Sequence, residues 1–502
     1  MNRRSLLKYA GAVALAGCAT PQTFARETAL AADLDAAAAR FMAANYTPGL
    51  AVAVYSADGV YTRGFGVTDL ATGQSANADT AFYIASSTKA LTSLALARLH
   101  HRRELDLDAT LAAYAPDAPF PEAVRAGEVR LRQMLCHTSG IDNGPIGFRS
   151  AFSGQHDPET LWRLLASSEV NADAPLGTFD YTNVGYNIAT VLTDRKLGVR
   201  WQDLLDHELF GPLGMSRSSA RMSRATREGW SIAKPHQMDG SGAPQRLTLE
   251  KNDQTMQSAG GVILSANDAV RWLELMVRDG RVGGAQIVEP EIIAATRERL
   301  AEQDGEFAGY RREAYGLGWN IGPYHDTTMY HHFGGFAGFA AHVSYIPEAG
   351  VGVAALANDS STGQSVIHGI ANYAYDRVLG RDAAAARLDA ALSQADSQRT
   401  RGVQRIEQDR ANRAGRQWTL TRPRQAYAGV YESETWGRIE IAADGEALRV
   451  RFGALHATAE PFTQPNSIRV ELIPGQGEPI LFTGDGDQPE ALRTRMATFQ
   501  RI

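Results

Sequence analysis

The stretch Phe82-Tyr-Ile-Ala-Ser-Ser-Thr-Lys89 runs straight into a long apolar segment, and its reading decides what the rest of the chain is for. Ser86 and Lys89 are three residues apart, which on a helix is one face. A serine hydroxyl is a weak nucleophile until a base takes its proton, and an amine whose pKa is lowered by burial can be that base. A serine at the start of a helix also sits where free N–H groups and the helix dipole favour developing negative charge. Two other pairs share the spacing. Ser5 and Lys8 lie in a basic leader, and Ser231 and Lys234 precede Pro235, which disfavours helix. Only after Ser86 do Ala90, Leu91, Leu94, Ala95 and Leu99 recur at helical period, predicting a helix with one apolar stripe.

Bulk properties narrow the rest. The 502 residues call for more than one domain, and 44% hydrophobic content supplies cores. The net charge of −6 carries no basic footprint for nucleic acid. Two cysteines, Cys18 and Cys136, build neither a disulfide framework nor a zinc site, and no His-Glu-x-x-His spacing occurs. No metal and no cofactor are expected. Arg3-Arg4-Ser-Leu-Leu-Lys8 before a short small-residue apolar run reads as an export signal over 1–25, similar to a twin-arginine leader. Leu15-Ala-Gly-Cys18 resembles a lipobox, making Cys18 the lipidation candidate. The alternative is ordinary cleavage after Thr23-Phe-Ala25. Either way the expected location is periplasmic or lipid-anchored to the membrane.

The pattern predicts a helix over 29–45, then a strand pair over 50–66 around Asp58-Gly59. Helical patterns follow near 158–168, 185–209 and 266–279, and strands return at 340–346 and 350–356. Early and late strands around a helical middle predict an α+β fold, one antiparallel sheet flanked by helices with a helical subdomain. Beyond residue 380 comes a polar helical linker over 381–421. Short alternating strands over 422–502 then predict a small all-β, barrel-like domain. The first globular unit is expected over 26–380.

Two further segments carry chemistry. Tyr181-Thr-Asn183 follows a Pro/Gly loop and precedes a helix, and His332-Phe-Gly-Gly335 precedes the strand at 340. Glycines there allow close backbone approach to a ligand, so an N–H from this segment and that of Ser86 could form an oxyanion hole. The order Ser-x-x-Lys, Tyr-x-Asn, His-x-Gly resembles the serine β-lactamase and penicillin-binding-protein superfamily, in its class C-like branch of esterases and peptidases. Leu135-Cys-His-Thr-Ser-Gly-Ile141 and Ser258-Ala-Gly-Gly-Val-Ile-Leu-Ser-Ala-Asn-Asp268 are similar to segments of that branch. The tail resembles a lipocalin-like domain appended to some members.

The resemblance implies that Ser86 is acylated and that Lys89 and Tyr181 share proton transfer. Asn183 would hydrogen-bond a substrate amide or hold Lys89. His332 and Gly334 would occupy the third motif, and the N–H groups of Ser86 and Gly335 the oxyanion hole. His137 and Ser139 would structure a turn. The substrate would be a small molecule, a peptide or a peptidoglycan-type compound. Phe333 stands where β-lactamases and carboxypeptidases carry Ser or Thr, and His332 replaces a lysine. Both departures shift the expectation from a β-lactamase or D-Ala-D-Ala carboxypeptidase toward an esterase or D-amino-acid-type amidase with an apolar acyl pocket. Two rivals remain open: a non-catalytic sensor on the same fold, and a β tail that recruits polymer or lipid as the main function.

Overall fold

The computed structural model describes residues 29–502, so the export signal and Cys18 lie outside the described residues. The first unit is built on a nine-stranded antiparallel sheet. Its strands are β1 (Gly49–Ser56), β2 (Gly59–Asp69), β3 (Gln74–Ser75), β4 (Ala301–Phe307), β5 (Tyr310–Tyr315), β6 (Asn320–Tyr324), β7 (Thr327–Phe336), β8 (Phe339–Ile346) and β9 (Val351–Ala357). They lie in the order β4-β5-β6-β7-β8-β9-β1-β2-β3. β1 pairs with β9, Val52 facing Ala355, so the two ends of the unit's sequence meet mid-sheet as expected.

The main helices are α1 (Ala29–Asn45), α2 (Thr88–His101), α3 (Val184–Leu197), α4 (Ala266–Val277), α5 (Gly363–Val378) and α6 (Ala384–Ala414). One sheet face is covered by α1 and α5, around Phe41, Val353, Ile367 and Ile370. The other face meets α4, α2 and the helical insertion between β3 and β4. With both faces covered, β1 and β9 are apolar without alternation, which is why their sequences read as continuous runs.

Several expectations change. The helix over 185–209 breaks at Gly198, which caps α3 at φ +66° before a second helix begins at Trp201. Strands β4 to β7 escape a hydrophobic reading: β4 lies at the sheet edge and is largely exposed, and β5 to β7 interleave polar residues with their buried ones. The single apolar stripe predicted for α2 is wrong. Every residue from Thr88 to Ala97 is buried, because α2 threads between the sheet and the helical insertion. Its polar side chains are paired accordingly: Thr92 Oγ1 donates to the Ser258 carbonyl (2.8 Å) and Ser93 Oγ lies 2.9 Å from the Tyr186 hydroxyl.

Residues 384–414 form one long helix, α6, resting on α1 and α5 through Ala384 and Leu388. Beyond it a second nine-stranded antiparallel sheet curls into a nearly closed, barrel-like body around Tyr427, Phe452, Phe482 and Phe499. This body docks on the helical insertion. Phe148 packs against Phe452 (4.8 Å between ring centres), Arg149 donates to the Glu434 carbonyl (2.9 Å), and the Arg438 N–H donates to Gln155 (2.7 Å).

Candidate active site

Ser86 does not open the α-helix. It sits in a 3-10 turn, Ala85–Ser87, that feeds α2, and Ala85 ahead of it takes φ +44°. A non-glycine residue in that region is a local strain, held here by the packing of the turn against β7. Ser87 Oγ donates to the His332 carbonyl (2.8 Å). Gly334 lies so close to the turn that a β-carbon there would overlap the Ile84 carbonyl oxygen. The spacing of Ser86 from the strand is therefore set by a residue that must be glycine.

One turn beyond Ser86, at the start of α2, Lys89 is fully buried. Its Nζ lies 2.7 Å from Asn183 Oδ1, 2.9 Å from the Ala259 carbonyl and 3.3 Å from Ser86 Oγ. Among the described residues it makes no ion pair, and burial alone drives its pKa well below the ordinary lysine value. A neutral amine has two N–H bonds and one lone pair. Asn183 and Ala259 offer only oxygens, so they take the two N–H bonds and the lone pair is left for the Ser86 hydroxyl.

Asn183 stands at the N-cap position of α3 but its side chain makes no capping bond, since Thr182 Oγ1 accepts from the Val184 N–H (3.1 Å), so the amide is free for Lys89. The Tyr181 ring lies 4.8 Å from Lys89 Nζ, so the phenol, the amine and the hydroxyl share one place. Tyr181 is 42% exposed as a residue, yet its hydroxyl end is desolvated. Burial raises its pKa to about 12, against hydrogen bonding with Ser86 and the pull of Arg312. It is a phenol at neutral pH. His137 backs its ring at 4.5 Å and accepts from the Thr182 N–H (3.3 Å), while the Asp180 N–H donates to the His137 carbonyl (2.8 Å).

His332 is buried on the site face of β7. Nδ1 donates to the Phe333 carbonyl (3.0 Å), which leaves Nε2 to accept from the Tyr315 hydroxyl (3.0 Å). Burial, with Lys89 and Arg312 nearby, depresses its pKa far below the usual value, so the ring is neutral. Phe333 corrects the expectation drawn from it. Strand alternation turns its ring to the opposite sheet face, against Tyr310, His342 and His368, so it lines no acyl pocket. Gly335 follows on β7, facing Ala340 of β8.

The sequence reading missed three contributors. The Ala259 carbonyl could not be found, since a backbone acceptor leaves no residue-type signal. Tyr315, which fixes the His332 tautomer, and Arg312 lie on β5, a strand too polar to be recognised. Arg312 is half-buried, makes no carboxylate ion pair among the described residues, donates to His331 Nε2 (3.4 Å) and lies over the Phe307 ring, from where its charge lowers the pKa of Tyr181 and His332. Cys136 is a buried thiol beside Thr138 Oγ1 (3.3 Å). Among the described residues the one group of potential metal ligands is His100, Asp106 and Asp108, where Asp108 is already paired with Arg132 at 2.8 Å.

This geometry can be set beside known proteins. A family model described as Beta-lactamase matches residues 34–376. The unguisins hydrolase ungD of Aspergillus violaceofuscus is 24% identical over 444 residues, spanning 82% of this chain and 77% of that protein. Penicillin-binding protein 4 of Amycolatopsis lactamdurans is 27% identical over 320 residues, 62% of this chain and 81% of that one. Among solved structures, the octameric penicillin-binding protein homologue from Pyrococcus abyssi has a TM-score of 0.58 at 20% identity, covering 93% of this chain and 99% of that chain. The D-amino acid amidase from Ochrobactrum anthropi SV3 complexed with L-phenylalanine gives 0.57 at 20% identity, covering 69% and 98%. At these identities the structures speak for the fold. The family model spans the first sheet, from β1 to β9, and the whole helical insertion, and the chain belongs to the β-lactamase family.

Proposed function

We propose that this serine hydrolase cleaves an ester or a D-amino-acid-type amide through an acyl group carried on Ser86. The observation that carries the reading is the Lys89 amine, buried, without a counter-ion among the described residues, held by the Asn183 and Ala259 oxygens and 3.3 Å from Ser86 Oγ; in its neutral form the lone pair is left for Ser86. Lys89 takes the Ser86 proton as Oγ attacks the carbonyl carbon. Tyr181, a phenol, donates its proton to the leaving group and is reprotonated from Lys89. Water then attacks the acyl carbon by the reverse path, with Lys89 as base again. The N–H groups of Ser86 and Gly335 receive the oxyanion in both halves; one such donor is typically worth about 3–4 kcal/mol in the transition state. The raised Tyr181 pKa argues against a tyrosinate base and for Lys89.

A second reading, a D-Ala-D-Ala carboxypeptidase-like or β-lactamase activity, is favoured by one group. Arg312 has no carboxylate partner among the described residues; it donates to His331 Nε2 (3.4 Å) and lies 4.7 Å over the Phe307 ring, and its charge, felt at Tyr181 and His332, would draw a substrate carboxylate in place of the missing lysine. Intact mass spectrometry with activated esters, D-amino-acid amides and penicillins separates the readings. Ester or amide adducts that vanish in Ser86→Ala support the first, and penicillin adducts that weaken in Arg312→Ala support the second. Adducts that persist in Ser86→Ala overturn both.

The domain limits 26–380, 381–421 and 422–502 and an exported location, soluble or anchored through Cys18, belong to the same proposal. Among the described residues no helix is long and apolar enough to cross a membrane. Fractionation of a Cys18→Ala variant tests the anchor. Truncation ahead of Arg422 tests whether the β body is an accessory for polymeric substrates: loss on a polymer with unchanged activity on a small ester is the expected result.

A further inference from the structure

Behind the site strand runs a row of polar groups that the mechanism above does not use. α5 contributes Gln364, His368 and Tyr375, on one face at helical spacing. β8 contributes His342 and Ser344, which point to one side of the sheet. His342, Ser344 and Tyr375 are fully buried and His368 nearly so. Gln364 Nε2 donates to the Gly334 carbonyl (3.0 Å), and Gln364 Oε1 lies 3.0 Å from His368 Nε2. His368 Nδ1 lies 2.9 Å from His342 Nδ1, His342 Nε2 lies 2.6 Å from Ser344 Oγ, and Ser344 Oγ lies 2.8 Å from the Tyr375 hydroxyl.

The direction of every hydrogen bond in this row follows from one acceptor. A carbonyl only accepts, so the amide atom facing Gly334 is nitrogen and the one facing His368 is oxygen. His368 Nε2 therefore carries the hydrogen. In the neutral ring Nδ1 is then bare, so His342 Nδ1 must donate to it. His342 Nε2 is bare in turn and accepts from Ser344, whose oxygen accepts from Tyr375. All donors point toward the strand, and such a chain polarises its successive members. Burial keeps both rings neutral, with Arg312 and His331 the charged or titratable neighbours opposing protonation from the facing strands.

The Gly334 carbonyl and the Gly335 N–H are the two ends of one planar peptide unit. We propose that Gln364 is a positioning residue for the oxyanion hole: with His368, His342, Ser344 and Tyr375 behind it, it grips the carbonyl end of the Gly334–Gly335 peptide and so fixes and polarises the N–H that receives the oxyanion. This deepens the reading above and rests on Gly335 as an oxyanion donor. Gly334 clears the Ile84 carbonyl, whereas a β-carbon at Gly335 would stand in ordinary contact with Gln364 Nε2.

The test uses the full chain, a p-nitrophenyl ester in single-turnover mode and phenylboronic acid, which forms a tetrahedral adduct on an active serine. Gln364→Met keeps the length of the side chain and removes the donor. The expected result is an acylation rate lower by about 10–100-fold with the ester KM nearly unchanged, and boronate affinity weakened by a similar factor, since a lost donor costs about 10²–10³ and a loosened one less. Gln364→Glu retains the His368 bond but presents an oxygen to Gly334. Relative to wild type it should lose boronate affinity at pH 8 and regain it at pH 5, where a protonated carboxyl can donate. A folded Gln364→Met enzyme that acylates and binds boronate like wild type overturns the relay and leaves Ser86 standing. A Gln364→Glu enzyme whose deficit is flat with pH also overturns it. If boronate binds Ser86→Ala as tightly as wild type, the reading of the site itself falls.

Discussion

Asn183→Asp places a carboxylate where an amide oxygen now sits 2.7 Å from Lys89 Nζ, with almost no change of shape. The amide holds a neutral amine; a carboxylate would favour an ammonium. At that separation two unit charges attract by about 6 kcal/mol at an effective dielectric of about 20, equivalent to about 4.5 pKa units on the amine. Asn183 is an exposed residue, so solvent screening removes a large share. The rise to expect is about 2 units. Protonated Lys89 has no lone pair for Ser86, so the acidic limb of the pH profile of kcat/KM moves to higher pH by that amount. Well above the new limb the rate approaches the wild-type plateau, because the base is again neutral and still held. The measurement is a stopped-flow acylation profile with a p-nitrophenyl ester from pH 5 to 10, wild type against variant. A limb that stays in place while the rate drops equally at all pH values would refute Lys89 as the titrating base, and with it the assignment of Asn183 as the residue that aims it.

Tyr181→Phe should lower acylation by about 10²–10⁴, the usual worth of a positioned proton donor, without moving the acidic limb; a limb that disappears with the phenol would reassign the base. Gly334→Ala should reduce acylation by about 10² or more, since even a 1 Å displacement of the strand from Ser86 misaligns the reacting groups; wild-type rates in a folded variant would show that the close approach to Ile84 is not needed. Lys251 is buried, donates to the Ala151 carbonyl (2.6 Å), stands 3.7 Å over the Phe336 ring, and has its pKa lowered to about 7 by burial. Between pH 7 and the ordinary lysine value of about 10.4 the unfolded chain holds a proton that the folded chain does not, so stability rises with pH there by about 1.4 kcal/mol per unit from this group. Urea midpoints at several pH values should show that increment in wild type and not in Lys251→Met; equal slopes would place the amine's pKa back in the normal range.

What was legible in the sequence follows from how locally each feature is made. Ser86 and Lys89 are one helical turn apart, so their pairing is written in four consecutive residues. Tyr181-Thr-Asn183 is also local, because Thr182, which takes the Val184 N–H, and the freed Asn183 are neighbours. The α1 helix and the β1–β2 pair came through for the same reason, each carrying its own period and turn. Strands β4 to β7 did not: β4 lies at the sheet edge and buries little, and β5 to β7 carry polar residues, Arg311, Arg312, Glu313, Asn320 and His331 among them, that break an apolar pattern. The role of Phe333 was misjudged because alternation within β7 cannot be phased until the strand's partner is known: one residue's shift would have turned it into the site and His332 away from it.

The glycine pair shows where reading along a chain stops and why. Gly334 and Gly335 are visible as residues permitting close approach, but the neighbours that meet the peptide between them come from different sides of the strand. Gly334 yields to the Ile84 carbonyl, which belongs to the turn that carries the nucleophile, and its own carbonyl is held by Gln364, which belongs to a helix on the opposite face. The peptide between them is therefore gripped from both layers of the molecule. A substitution in α5, remote in sequence from every motif and touching no substrate, should then act on the rate of acylation rather than on substrate binding. That separation of kcat from KM is the mark by which a built oxyanion hole differs from a merely well-packed strand.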